Sequence, residues 1–189
     1  MKINSLSIIS TLAVLTFASS ANAGVIADFY IGGMVGAGGQ TLFTKDTHNS
    51  SGSSMLFGGV VGVDIPAFRI EAEYNYIDSN DIDTNSAMLN AYFKVPSTLI
   101  QPYIGAGIGM LFSGNHKITN AGIETKYSID STAAYQAMLG ATIDILAVPL
   151  KFDVEGRALY APDIYKITAT DTTPDLLEYN VRVKMRYIF

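Results

Sequence analysis

Two histidines, His48 and His116, are the side chains of this sequence that titrate near neutral pH and could serve as general bases. Both fall in polar segments that we predict to be loops, and hydroxyl groups that could act as nucleophiles lie close to the first of them: Ser50, Ser51, Ser53 and Ser54. Such catalysis also needs a fixed partner that orients the base within hydrogen-bond reach of the nucleophile. The spacing supplies no such partner, and serine-rich composition is typical of loops. We therefore predict no catalytic residue.

The densest acidic segment holds Asp78, Asp81 and Asp83 within Asp-Ser-Asn-Asp-Ile-Asp. Carboxylate and amide oxygens suit Ca²⁺ or Mg²⁺, but the segment fails the EF-hand pattern because Ile82 holds the fifth position and no glycine holds the sixth. A second acidic segment carries Asp163, Asp171 and Asp175. We expect a solvated acidic rim with no metal and no cofactor. The alternatives are divalent-cation bridging to anionic lipopolysaccharide and recognition of a basic ligand.

Elsewhere the charges follow a period of two. In residues 177–189 every odd position is apolar, whereas the even positions include Arg182, Lys184 and Arg186. Successive side chains of a β-strand point to opposite faces, so this pattern predicts a strand with one apolar and one charged face. Residues 68–76 and 151–160 repeat it.

Five further runs bring the number of predicted strands to eight, at residues 29–38, 56–65, 86–95, 101–112 and 133–145. The first two and the fourth of these alternate glycine with aliphatic residues, which predicts close approach or bending. Long polar connections at 39–54, 78–85, 113–130 and 161–176 alternate with short ones near 65–67, 95–100 and 146–149. This arrangement predicts an all-β, eight-stranded, antiparallel up-and-down transmembrane barrel.

The charged faces of these strands are balanced between the two signs. The inward set is Arg69, Lys94, Lys151, Arg157, Arg182, Lys184 and Arg186 against Asp64, Glu71, Glu73, Asp144, Asp153, Glu155 and Glu178. An enclosed interior requires such balance, because an unpaired buried charge costs several kcal/mol. The uncharged opposite faces, rich in Tyr and Phe near the strand ends, favour a membrane barrel over a soluble barrel or sandwich. Eight strands leave a lumen that side chains fill, and we expect Asp153 and Glu155 to pair with the last strand.

The N-terminus predicts export. Lys2, an apolar run over residues 6–18 and the sequence Ala21-Asn22-Ala23 have the layout of a secretory signal peptide, residues 1–23. The alternative is an anchor helix, but the run is shorter than the ~20 residues that a spanning helix needs. Residues 24–189 then form the barrel domain. The net charge of −5 and the lack of a basic cluster argue against nucleic acid as a partner.

Three runs carry a resemblance to a known family: Phe29-Tyr30-Ile31-Gly32-Gly33, Pro102-Tyr103-Ile104-Gly105-Ala106-Gly107-Ile108-Gly109 and the terminal Tyr187-Ile188-Phe189. The chain resembles small Gram-negative outer-membrane barrels of the OmpX, OmpA transmembrane-domain and opacity-protein type. The resemblance implies integral insertion in the outer membrane, contact with lipid and lipopolysaccharide, and recognition of the strand ending in Phe189 by the barrel-assembly machinery.

Three functions remain open from the sequence. The first is a structural or interaction protein, adhesive or host-contacting, that presents four extracellular loops. The second is a narrow porin-like pore or small-solute transporter, which should show a lining that is uncharged or of one sign. The third is a lipid-modifying enzyme, which needs a histidine beside a strand residue at the membrane boundary. The balanced charges favour the first.

Overall fold

The computed structural model of this chain describes residues 27–44, 47–79, 84–97, 99–112, 115–120, 123–128, 131–145, 147–164 and 175–189. The predicted signal peptide, residues 1–23, lies outside the described residues. Within the described ranges no helix has the length and apolarity needed to cross a membrane.

Ten β-strands make up the described structure, and eight of them close into one barrel. The ring order is β1-β10-β9-β8-β5-β4-β3-β2, whereas β6 and β7 pair only with each other. All pairings are antiparallel. The strand bounds are β1 Asp28–Thr44, β2 Thr47–Asp64, β3 Phe68–Ser79, β4 Thr84–Lys94, β5 Ile100–Phe112, β6 Asn115–Asn120, β7 Ile123–Ser128, β8 Thr132–Asp144, β9 Leu150–Ala161 and β10 Asp175–Ile188.

The two faces of the barrel wall follow the period of two in the sequence. Along β10, Arg182, Lys184 and Arg186 are buried, and the residues between them are exposed. The outer surface is apolar, and its side chains are exposed, with exposed fractions of 68% at Leu139 and 65% at Ile104. A soluble protein does not expose such a continuous apolar surface. The predicted transmembrane barrel is confirmed.

Closure of the barrel joins its first and last strands. β1 pairs with β10 from Tyr30 opposite Ile188 to Phe43 opposite Asp175, and the Phe189 amide donates to the Phe29 carbonyl at 2.9 Å. The short turns are tight: Ile65 and Phe68 exchange backbone hydrogen bonds of 2.9 and 3.2 Å. A closed ladder leaves no edge in the hydrocarbon layer, where unpaired backbone groups are costly.

Two predicted loops contain strands. The first, residues 39–54, is largely the outer end of a hairpin, in which β1 continues to Thr44 and β2 begins at Thr47. The third, residues 113–130, contains β6 and β7. His48 and His116 therefore lie on strands, and their assignment to loops was wrong. Both segments are mostly polar, so they lack the sustained apolar alternation that reveals a membrane-spanning strand.

Candidate functional site: the charged lumen and its mouth

The interior of the barrel encloses a dense set of paired charges. Among the described residues, six basic and six acidic side chains of the predicted inward set are buried: Arg69, Lys94, Arg157, Arg182, Lys184, Arg186, Asp64, Glu71, Glu73, Asp153, Glu155 and Glu178. The remaining predicted pair, Lys151 and Asp144, is partly exposed and 3.3 Å apart. The predicted balance of the lumen is confirmed, because the buried charges of the two signs match in number.

Two ion pairs connect opposite walls. β3 and β9 have three strands between them in either direction around the ring, so they face each other across the lumen. Arg69 on β3 lies 3.2 Å from Asp153 on β9, and Glu73 on β3 lies 2.7 Å from Arg157 on β9. These pairs fill the full width of the interior, and they restrain the two walls relative to each other.

β10 adds three cations to this network. Arg186 binds Asp153 at 2.7 and 2.9 Å, and Lys184 lies 3.2 Å from Glu155, so the predicted pairing with β9 is confirmed. The register places Lys184 directly opposite Asp153, and the contacts are therefore diagonal between the two strands. Lys184 also reaches across to Glu71 at 2.8 Å. One cation thus bridges acids from two different strands.

Tyrosines complete the carboxylate contacts. The hydroxyls of Tyr30 and Tyr92 donate to Glu71 at 2.8 and 3.0 Å, and Tyr103 donates to Glu155 at 3.0 Å. The Arg69 guanidinium lies 4.0 Å from the Tyr92 ring centre and 4.6 Å from that of Tyr103. A desolvated cation held over aromatic faces gains about 2 kcal/mol. Sequence alternation placed these tyrosines on the wall but gave no sign that they enclose an arginine.

Each of these tyrosines lies across an inward glycine on the neighbouring strand. The register pairs Tyr30 with Gly62, Tyr92 with Gly105 and Tyr103 with Gly140. A Cβ at the three glycines would come within 2.4, 2.5 and 2.7 Å, respectively, of the tyrosine opposite. The glycines are therefore needed for space, which is the close approach that the glycine-rich strands predicted.

An apolar layer covers the end of the lumen away from the short turns. It consists of Met88, Leu111, Ala134, Leu159, Ala161, Ile164 and Leu176. Ile164 follows the end of β9 and is only 2% exposed, so the start of the β9–β10 connection turns into the barrel mouth. The turn is held by the Thr132 hydroxyl, which donates to the Pro162 carbonyl at 2.7 Å, and by Asp163 in the left-handed backbone region.

Of the remaining predicted acidic residues, those that the structure describes lie around this mouth. Asp175 accepts hydrogen bonds from the Tyr160 hydroxyl at 2.7 Å and from the Asp163 amide at 3.2 Å. Asp78 is exposed near the end of β3, whereas residues 80–83 and Asp171 lie outside the described residues. No cluster of three or more acidic, histidine or cysteine side chains that could hold a metal occurs in the described part of the chain.

An apolar exterior, a closed hydrogen-bonded wall and a filled polar interior define this molecule as an integral membrane β-barrel. The sequence profile of outer membrane protein β-barrel domains matches residues 9–189, and the chain belongs to this family. No curated protein sequence matches it.

Several solved structures share the fold. Neisserial surface protein A has a TM-score of 0.57 at 16% identity, with 84% of this chain and 97% of that chain covered. The N-terminal β-barrel domain of Pseudomonas aeruginosa OprF has a TM-score of 0.51 at 12% identity, with 82% and 97% covered. The Yersinia pestis attachment invasion locus protein Ail, solved with the heparin analogue sucrose octasulfate, has a TM-score of 0.52 at 13% identity, with 85% and 99% covered.

Proposed function

We propose that this protein is a non-conducting surface protein that acts through its extracellular segments, with the barrel as a rigid support. The observation that carries the proposal is the pair of contacts Arg69–Asp153 and Arg157–Glu73, which join opposite walls of the lumen. Charges taken out of water are retained when each is matched by a charge of opposite sign. The charged side chains occupy the space that a hydrated ion requires.

The pore alternative has less support. A conducting lumen of this size needs an uncharged or single-sign lining with room for water, whereas the twelve buried charges of this lumen are of both signs and at most 4% exposed. The apolar layer around Leu111, Leu159 and Ile164 is a second obstruction at the outer end. Two barriers of different chemistry lie in series along the axis.

The enzymatic alternative also has less support from the side chains that the structure describes. The buried carboxylates are bound by cations or tyrosine hydroxyls, and the side chains of the two histidines are not among those that the structure describes. A general base needs access to a substrate, which these buried groups do not have. We therefore propose a structural and interaction role, with no catalytic residue, cofactor or resident metal.

Membrane residence and export form part of the proposal. We propose cleavage after residue 23, insertion of residues 24–189 in the outer membrane of a Gram-negative cell, and recognition of Phe189 by the barrel-assembly machinery. Outer-membrane lipid and lipopolysaccharide surround the apolar face, on which Phe189 is 77% exposed. The structure of Ail in complex with the heparin analogue sucrose octasulfate supports the view that a barrel of this fold can bind an external ligand.

Planar-bilayer recording of the purified, folded protein tests the proposal. The expected result is no steady ohmic opening, both for the native chain and for Ile164→Ala, because the ionic layer below remains in place. A porin inserted under the same conditions in a separate membrane is the positive control. Channel openings that persist in Glu73→Gln and disappear in Gly107→Leu, which makes the lumen bulkier, would establish the pore alternative.

A further inference from the structure

The end of the barrel that carries the short turns is apolar. The described residues of these turns are 65–67, 95–97, 99, 145 and 147–149, and among them only Ser97 has a polar side chain. Turns that face water are usually rich in Gly, Asn, Asp and Ser, so an aqueous environment does not account for this composition. Large apolar side chains are exposed at this end, and we call them the apolar collar: Phe68, Val95, Leu99, Ile145, Val148 and Phe189.

The apolar collar extends around the whole circumference of the barrel. The three short turns join β2 to β3, β4 to β5 and β8 to β9, and β10 closes against β1, so these four pairs together make up the ring. Each pair contributes at least one exposed member of the collar: Phe68, Leu99, Ile145 and Phe189, respectively. A protein partner is typically marked by a single apolar patch, whereas a surrounding medium contacts every side.

The backbone of the turns depends little on water. Each turn contains one residue without an amide hydrogen: Pro66, Pro96 and Pro149. Three backbone hydrogen bonds of 2.9, 3.0 and 2.9 Å join the turns to strands, from the amides of Val95, Asp144 and Ile188 to the carbonyls of Pro102, Leu99 and Pro149. Backbone groups that are already paired, or that have no donor, lower the cost of moving a turn out of water.

We propose that the apolar collar lies in the phospholipid leaflet on the periplasmic side of the membrane, at the boundary between headgroups and acyl chains. The partner is a glycerophospholipid surface. The collar continues the lipid-facing wall without a break, because Phe68 packs against Phe93 with ring centres 5.5 Å apart, and Phe189 packs against Tyr187 at 5.4 Å. The proposal rests on the membrane residence and orientation given above, and it adds the depth of insertion.

The height of the apolar wall agrees with this depth. On the outer face of β10, Asp175 and the half-buried Leu177 precede Tyr179, so the apolar band ends near Tyr179. Between Tyr179 and Phe189 the strand rises about 25 Å, at ~3.3 Å per residue and a tilt of ~40°, which is the height of the apolar band in such barrels. A band that stopped at Tyr187 would be only about 20 Å high. The full height is therefore reached only when Phe189 and the turns beside it are included.

Two other occupants fit the collar less well. Copies of the chain in one membrane direct their short turns to the same side, so two collars cannot meet face to face. A periplasmic protein would have to contact all four quarters of the rim at once to cover Phe68, Leu99, Ile145 and Phe189. A lipid leaflet does so without any specific complementarity.

Depth-dependent fluorescence quenching of the full-length mature protein in phosphatidylcholine vesicles tests the proposal. The sequence contains no tryptophan, so a single introduced indole is the only one in the chain. Leu99→Trp and Ile145→Trp probe two different turns. Asp78→Trp, at an exposed position near the other end of β3, is the aqueous reference, and Val183→Trp on the lipid-facing wall is the deep reference.

We expect aqueous iodide to quench the two turn variants several-fold less than Asp78→Trp. Phosphatidylcholine brominated near the glycerol end of its acyl chains should quench the turn variants more than phosphatidylcholine brominated near the bilayer centre. Val183→Trp should show the opposite order. Circular dichroism of each variant checks that the barrel has folded, and the two turns give independent readings.

Equal iodide quenching of Leu99→Trp, Ile145→Trp and Asp78→Trp overturns the proposal, because the collar then lies in water. Protection at only one of the two turns also overturns it and indicates a one-sided surface. Protection that occurs in isolated outer membranes but not in lipid vesicles overturns it as well and assigns the collar to a periplasmic protein. Quenching does not depend on conductance, so failure here is distinct from failure of the surface-protein function.

Discussion

Arg69 and Asp153 lie 3.2 Å apart although their strands, β3 and β9, stand on opposite walls of the barrel. Both side chains are fully buried, and Asp153 also accepts hydrogen bonds from Arg186 and from the Thr142 hydroxyl. The carboxylate of Asp153 is thus shared by two arginines from different strands. Its removal affects more of the lumen than removal of either arginine.

We expect Asp153→Asn to lower the free energy of unfolding by about 3–5 kcal/mol, because it leaves the buried Arg69 guanidinium without its carboxylate partner and removes one of the two carboxylates that bind Arg186. Arg69→Met should cost less, since Asp153 retains Arg186. Urea unfolding of both variants in lipid vesicles measures the difference. The reverse order, with Arg69→Met the more damaging change, would contradict the shared role of Asp153.

The contact between Tyr92 and Gly105 predicts a steric effect. A Cβ at Gly105 would lie 2.5 Å from the Tyr92 ring, so Gly105→Ala should destabilise the barrel by about 1–3 kcal/mol. The matched control is Gly33→Ala, where the nearest atom is the Gly58 carbonyl oxygen at 3.9 Å. Thermal unfolding in the same lipid should show a much smaller change for the control. Equal costs would mean that backbone effects, and not the tyrosine, decide the outcome.

The lipid-facing side of β10 predicts a dependence on depth. Val183→Arg should cost about 2–4 kcal/mol near the middle of the apolar band, whereas Tyr179→Arg, closer to the extracellular end of the same face, should cost about 0–1 kcal/mol. Both residues are exposed on the outer surface, at 45% and 53%. Refolding yield and unfolding in vesicles provide the comparison. A neutral Val183→Arg would show that this face does not contact hydrocarbon.

The apolar layer predicts a local stability effect. Ile164→Ala should destabilise the barrel by about 2 kcal/mol, the lower end for a buried isoleucine because the flanking chain can partly relax. Val148→Ala in a short turn, where the side chain is 45% exposed, is the control and should stay within about 0.5 kcal/mol. Hydrogen exchange should also accelerate at residues 161–164 in the first variant alone. An unchanged Ile164→Ala would place this residue outside the packed mouth.

The topology predicts which residues are accessible on intact cells. Cysteines introduced at Ser51 and Asn115 should react with an impermeant maleimide on whole cells, because an even number of strands returns both termini to the periplasmic side. Cysteines at Pro66 and Ser97, in the short turns, should react only after the outer membrane is opened. Labelling of the second pair on intact cells would reverse the orientation.

The barrel itself could be predicted from the sequence because the alternation of side chains along each strand of its wall is a local property. A strand with one face in hydrocarbon and one in a polar interior must alternate, so Val183 and Lys184 reveal their opposite environments without knowledge of any neighbour. The count of balanced charges followed from the same alternation, since a closed interior must be neutral. The pairing of Arg186 with Asp153 was also accessible, because it joins two strands consecutive in the chain.

Tertiary structure alone decided the contacts that cross the lumen and those that cover it. Arg69 meets Asp153 because the ring closes with β3 opposite β9, and this depends on the register of all eight strands at once. Ile164 belongs to the β9–β10 connection, and no periodicity in the sequence predicts that its side chain is buried. The outer ends of β1 and β2 extend beyond the end of β3, and no apolar face in these polar segments indicates how far a strand continues.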